Sequence, residues 1–409
     1  MAKKTVHDLG SLQGKKVLVR VDFNVPLDEA GHVSNDRRIL GALPTLKHLL
    51  DKGAALVVMS HLGQPEGEAG TAEFRQKNAR LAMGRVAERF EQLLGRKVVK
   101  ASEVVGASVA EAAGKLQPGE VLLLENLRFH PGEKSKDSTF ARDLASLADV
   151  YVNDAFGTCH RTDASMLAVP VAARGKPRVV GLLVAKELDI LDKLLSSPGR
   201  PMLGLLGGAK VSDKIGFIKS LLGRVDKVLI GGAMSYLFMK AQGRSIGTSF
   251  CETKAKDGAK TPLQLAQEIL ELGKGKIVLP IDHLVVTDIK APGTAKVVEG
   301  DIPEGYAGVD IGPKTIALYQ EEIGKAATVV WNGPMGKFED EPFSKGTRTI
   351  AETLAASKGT TVVGGGETAE AVEEFGLADK MTHVSTGGGA FLEYVEGTPF
   401  KALAEIDEK

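Results

Sequence analysis

Apolar positions along the chain follow two alternating patterns. Short β-branched runs, KVLVRV (16–21), ALVVMS (55–60), EVLLLEN (120–126) and DVYVND (149–154), read as buried strands. Six more follow: PMLGLL (201–206), KVLIGG (227–232), KIVLPI (276–281), TVVWNG (328–333), TTVVGG (360–365) and MTHVST (381–386). Between them apolar residues recur at helical spacing. In RILGALPTLKHLLDKG, Ile39, Leu43, Leu46 and Leu50 share one face, and Gly53 ends the run. Strands alternating with helices predict the α/β class, with parallel sheets covered on both faces. The segment 71–95 predicts one long charged helix, with Gly84 as its weak point.

At 409 residues the chain exceeds one ordinary core and suggests roughly two or three domains. The helical pattern LLVAKELDILDKLL (182–195) separates the two sets of strands. It fits a connector between two α/β halves or a crossover helix inside one large sheet. The length favours the connector, giving residues 1–181, a connecting helix 182–197, and residues 198–390. No solenoid repeat or low-complexity segment is present.

A formal net charge of zero and a pI near 7.1 argue against bulk affinity for nucleic acid or anionic membrane. Cys159 and Cys251 are the only cysteines, so no disulfide framework is expected and a reducing compartment is. MAKKTVHDLG contains no apolar leader, and no 18 apolar residues run together. A cytoplasmic protein is the expectation.

Ligands of open α/β sheets bind beyond the carboxyl ends of the strands. In the first half these ends carry polar and cationic groups: Asp22, Phe23 and Asn24; His61, Leu62 and Gly63; Arg128; and His160 with Arg161. Arg37 and Arg38 open the first helix, where backbone amides add to an anion site. Singly, each is as easily a solvated charge or a turn residue. Their recurrence at four strand ends points to a small, multiply anionic ligand, which guanidinium groups bind bidentately.

In the second half the strand ends are glycine-rich: Gly207-Gly208-Ala209-Lys210, Gly231-Gly232, Asn332-Gly333-Pro334-Met335-Gly336, Gly364-Gly365-Gly366 and Gly387-Gly388-Gly389. Any one pair makes a tight turn. Five on one sheet suggest backbone brought close to a nucleotide, with Lys210 and Lys214 placed to meet phosphate oxygens. LLGGAKVSDKI (205–215) departs from the Walker pattern, so its phosphate contacts would be shared among several loops. Residues 364–369 fit the dinucleotide fingerprint G-x-G-x-x-A, which would suit a dehydrogenase. No acidic residue ends a following strand about 20 positions on, as ribose recognition would require. Glu367 serves either as a Mg²⁺ ligand or as an acid that suits a helix N-terminus.

An anion clamp on one half and a nucleotide platform on the other suit phosphoryl transfer, which depends on positioning and charge neutralisation. No Ser-His-Asp arrangement or zinc-ligand spacing presents itself. No carboxylate stands out as a general base, which fits an acceptor that is itself an ionised carboxylate.

The segments KVLVRVDFNVPL, MSHLG, LLLENLRF, VYVNDAFGTCHR, LLGGAKVSDKI, WNGPMGKFE, VGGGETA and VSTGGGA, in this order, resemble phosphoglycerate kinases over nearly the whole chain. The resemblance implies reversible transfer of a phosphoryl group between 1,3-bisphosphoglycerate and ADP, giving 3-phosphoglycerate and ATP in glycolysis. It also implies two Rossmann-like domains that close about a hinge for in-line transfer, a C-terminal tail (391–409) returning to the N-terminal domain, and a monomer. By resemblance Asp22, Asn24, Arg38, His61, Arg128 and Arg161 form the phosphoglycerate site, flanked by Phe23, Leu62, Gly63 and Gln64, and Arg38 stabilises the migrating group. Lys210 follows that group, and Lys214 meets the nucleotide phosphates near Gly208 and Ala209. Gly231, Gly232 and Pro334 border adenine and Glu339 the ribose. Asn332 and Thr368 reach phosphates beside Gly365 and Gly366, and Gly387, Gly388 and Gly389 line the transfer path. The sequence departs from the family pattern in three places. Gln64 and Asp163 stand where Arg and His are common, and Glu367 stands where the family usually has a Mg²⁺-binding Asp.

Overall fold

The computed structural model describes residues 2–255 and 260–409. The chain divides into two units, Met1–Asp189 with Pro399–Lys409, and Ile190–Thr398; the division falls inside the helix Leu182–Ser196.

In the first unit, β1 (Lys16–Val21), β2 (Ala55–Met59), β3 (Val98–Lys100), β4 (Val121–Leu123), β5 (Val150–Asp154) and β6 (Arg178–Val180) form a six-stranded sheet in the order β3-β4-β2-β1-β5-β6. Every pairing is parallel. Strand β1 goes to β2 on one side and meets β5 on the other, so the order reverses beside it. Its side chains are buried on both faces, Val17, Val19 and Val21 packing with Phe23 and Phe90.

The second unit holds β7 (Met202–Leu206), β8 (Lys227–Ile230), β9 (Ile277–Val278), β10 (Asp282–Val286), β11 (Lys296–Glu299), β12 (Ala307–Ile311), β13 (Thr328–Asn332), β14 (Thr360–Gly364) and β15 (His383–Val384). Six of these build a parallel sheet, β15-β14-β13-β7-β8-β9, the strand order of dinucleotide-binding folds. The first sheet is the variant of the two. The remaining three form an antiparallel sheet, β11-β10-β12, absent from the sequence expectation. Strand β11 is largely exposed and lacks a strand's apolar face.

Two further differences trace to particular contacts. The single helix expected over 71–95 is broken into Ala72–Lys77, a turn at Ala79–Leu81, and Gly84–Leu94. The Asn78 side chain donates to the carbonyls of Phe74 and Glu66 and accepts from the Glu66 amide, so it competes with the helical ladder. The tail that packs with the first unit starts at Pro399, later than expected. The helix Gly389–Glu396 stays with the second unit, where the Val395 carbonyl accepts from Ser220 and Phe391 packs on Phe217. Beyond it, Asp407 pairs with Arg178 at 2.7 Å and Glu405 with Arg174 at 2.9 Å.

Candidate active site

The cationic residues of the first unit converge at the carboxyl ends of four adjacent strands, β4, β2, β1 and β5. Arg38, near the start of the helix Arg37–Asp51, donates to the Asp22 carboxylate at 2.6 Å. Burial raises the Asp22 pKa, but the charges of Arg38 and Arg20 outweigh it and hold the carboxyl below its ordinary range. Asn24 accepts from the Gly63 amide at 2.7 Å, which ties the loop after β1 to the loop after β2. Arg128 donates to the Gly63 carbonyl, while its Nε is buried with no partner among the described residues. Burial and then the neighbouring Arg161 lower its pKa.

His61 is buried, and its Nδ1 lies 3.1 Å from Arg20 Nη2. Arginine can only donate, so Nδ1 accepts and the ring proton sits on Nε2. Burial and the Arg20 charge hold the imidazole well below its ordinary pKa, so it is neutral at pH 7. Nε2 is buried and has no partner among the described residues. Gln64, Arg128 and Arg161 edge a depression of about 730 Å³.

The glycine loops all follow strands of one sheet. Three of them pack backbone against backbone. The Gly208 amide donates to the Pro334 carbonyl, the Gly232 amide to the Met335 carbonyl and the Met234 amide to the Gly208 carbonyl. A Cβ on Gly207 would lie 2.0 Å from the Pro334 oxygen, and one on Gly232, at φ +62°, 2.5 Å from the Gly208 nitrogen. These glycines are therefore required by loop-on-loop contact. Gly366 and Gly388, by contrast, have open space where a Cβ would go. The contact forms between β7 and β13, where the strand order reverses.

Lys210 is exposed. Lys214 donates to the Gly207 carbonyl at 3.0 Å. Burial depresses its pKa to about 8, with Glu367 and Asp213 pulling the other way. Glu367 is exposed in the first turn of the helix Gly366–Glu374. A Cβ at Gly208 would lie 3.2 Å from Lys214 Nζ and 3.7 Å from Glu367 Oε2, so the two charges flank that glycine. Asn332 donates to the Gly364 carbonyl at 2.8 Å, and its buried Oδ1 has no partner among the described residues. The Thr368 hydroxyl accepts from the Gly333 amide at 2.6 Å. Glu339 is exposed.

The phosphoglycerate kinase family model matches residues 6–398. The chain belongs to the phosphoglycerate kinase family. It is 49% identical over 419 residues to the phosphoglycerate kinase of Gloeobacter violaceus and 48% identical over 411 residues to that of Rhodopirellula baltica, with each chain covered in full. Solved phosphoglycerate kinases from Coxiella burnetii and Pyrococcus horikoshii superimpose with a TM-score of 0.82 each, at 35% and 32% identity, over 98% of both chains. The enzyme transfers a phosphoryl group reversibly between 1,3-bisphosphoglycerate and ADP in glycolysis. The fingerprint at 364–369 thus belongs to a phosphotransferase, and the dehydrogenase reading falls.

Two of the residues set beside the phosphoglycerate site by sequence turn away from it. Phe23 and Leu62 bury their side chains in the core, Phe23 against Phe90 at 5.1 Å. Asp163 pairs with Lys134 at 3.1 Å. The sequence reading missed three supports: Arg20, Ser60 and Asn126. Ser60 accepts from the Phe23 amide, and Asn126 accepts from the amides of Leu62 and Arg128. Only Arg20 left a signal, as a charge in the middle of the apolar run KVLVRV.

Proposed function

We propose that Asp22, Asn24, Arg38, His61, Arg128 and Arg161 bind the phosphoglycerate and that the loops after β7, β8, β13 and β14 bind the nucleotide. The observation that carries this reading is the pair of orphaned donors, His61 Nε2 and Arg128 Nε, buried at neighbouring strand ends. A buried donor left unmade costs about 1–3 kcal/mol, which a ligand oxygen would recover. The acceptor carboxylate of 3-phosphoglycerate is ionised at neutral pH, so the reaction needs no general base. Arg38 offers its remaining guanidinium protons to the migrating phosphoryl group from one side of the transfer. Lys210, exposed, follows that group, and Lys214 neutralises phosphates that stay with the nucleotide.

Glu367 supplies one carboxylate beside Lys214, which fits Mg²⁺, an ion held by one or two carboxylates together with substrate phosphates. When bound, the ion neutralises charge on the phosphate oxygens. Among the described residues no helix is long and apolar enough to cross a membrane. We read the enzyme as cytoplasmic, the compartment that its two cysteines suit, and as a monomer, which the family resemblance implies.

Kinetics of Arg38→Ala and Lys210→Ala test the assignment. Both charges act on equatorial oxygens whose charge develops in the transition state, so kcat should fall on the order of a hundred- to a thousandfold. Ground-state binding should change much less. A rise in KM for 3-phosphoglycerate at unchanged kcat would reassign Arg38 to uniform substrate binding.

A further inference from the structure

Glu252 lies outside the motif segments quoted from the sequence, yet it holds the loop that bears both lysines. One carboxylate oxygen accepts from the amides of Val211 at 3.0 Å and Ser212 at 3.2 Å, and the other accepts from the Ser212 hydroxyl. These amides open the turn Ser212–Lys214 and the helix Ile215–Leu222 that follows it. Amides in such a position attract phosphate. Here a carboxylate has taken them, so the groups this stretch offers to a nucleotide are its lysine side chains.

Glu252 is anchored in turn. Three residues earlier, the Ser249 hydroxyl accepts from the Gly308 amide of β12 at 2.8 Å, and the Thr248 amide donates to the Tyr306 carbonyl at 2.9 Å. Ile246 bridges to Ile302, and the Ser245 hydroxyl donates to the Ile302 carbonyl. The segment 245–249 is thus fastened along the strand that begins at Ala307 and the turn before it. A continuous path of hydrogen bonds and chain runs from the antiparallel sheet through Glu252 to Val211 and Ser212, which lie between Lys210 and Lys214.

We propose that Glu252 is a positioning residue for phosphoryl transfer and that the small antiparallel sheet is its support. The proposal rests on the assignment of Lys210 and Lys214 to the phosphates. Glu252 does not touch substrate; it sets the backbone from which both ammonium groups reach. Displacing a catalytic group by about 1 Å costs on the order of a hundredfold in rate, so loosening this loop should act on chemistry and on nucleotide binding together.

Glu252→Gln tests this with little change of shape, since it replaces one acceptor oxygen by a donor facing donors. The expected result is a kcat lowered by at least about tenfold and a raised KM for ATP. KM for 3-phosphoglycerate should be unchanged and the thermal midpoint close to the parent's. Glu252→Asp should recover part of the loss, and Ser212→Ala, which deletes only the hydroxyl contact, should move the same parameters less. In the double variant Lys210→Ala with Glu252→Gln, the loss should be smaller than the product of the single losses, because both changes disable one loop. Parental kcat and KM for ATP in Glu252→Gln would overturn the proposal. So would fully multiplicative losses, or a parallel rise of both KM values. If Lys210→Ala and Lys214→Ala keep parental kinetics, the lysine assignment fails, and the proposal goes with it; that outcome is distinct from an inert Glu252→Gln.

Discussion

Lys214 ties the chemistry of the nucleotide loop to pH. Burial leaves its ammonium with a pKa of about 8, so above that pH the free enzyme increasingly carries a neutral amine there. A phosphate beside it favours the charged form and lifts the pKa. ATP binding above pH 8 therefore takes up a proton, and KM for ATP should rise as pH climbs through 8. Lys214→Arg, charged throughout, should flatten that rise; a pH profile of KM for ATP in both proteins checks it. Glu367 makes a second residue-scale prediction. Glu367→Gln should raise the Mg²⁺ concentration needed for half-activity and Glu367→Asp should preserve it, measured by titrating Mg²⁺ in the coupled assay. An unchanged dependence in Glu367→Gln would leave Glu367 as an acid that suits its helix start.

Among the elements, the glycine loops divide into two kinds that look alike in sequence. Gly207, Gly232 and Gly333 are needed where loops touch one another, whereas Gly366 faces open space. Gly232→Ala should therefore cost stability, about 2–4 kcal/mol in a chemical denaturation curve of the second unit, from a clash with backbone and a strained φ. Gly366→Ala should leave that curve in place, because its methyl would enter open space, and raise KM for ATP if that space holds phosphate as we propose. Sequence reading recognised both as glycines at strand ends. Which backbone approaches which atom depends on strand order, and β7 and β13 are neighbours separated by more than 100 residues.

For the molecule as a whole, buried carboxylates set part of the pH dependence of folding. Burial pushes Asp154 and Asp310 up to about 7 each, against 3.8 for an exposed aspartate. Their raised folded pKa means the folded state binds more protons across that window. Their contribution to stability is thus fully present below about pH 4 and is lost as pH rises through about 7. Asp310→Asn removes one such titration and keeps one of the two acceptor oxygens that now serve the Gly346 and Ile311 amides. Relative to the parent, it should gain on the order of 2 kcal/mol between pH 5 and pH 8 in denaturant-unfolding experiments, mostly in the second unit.

What the chain states locally was legible: strand runs, the cations and glycines at their carboxyl ends, and so the α/β class and a phosphotransferase's two ligand types. Such features lie within a few residues of one another and repeat with a strand's or helix's period. The rest depended on long-range contacts that leave no period. Asn78 ends a helix by bonding to Glu66, Asn126 supports Leu62, and Glu252 holds Val211 and Ser212 across 41 and 40 residues. Each is a side chain satisfying backbone groups that secondary structure leaves open. Only the folded chain decides which backbone lies within reach, and where the side chain is buried, as Asn78 and Asn126 are, that bond is costly to lose.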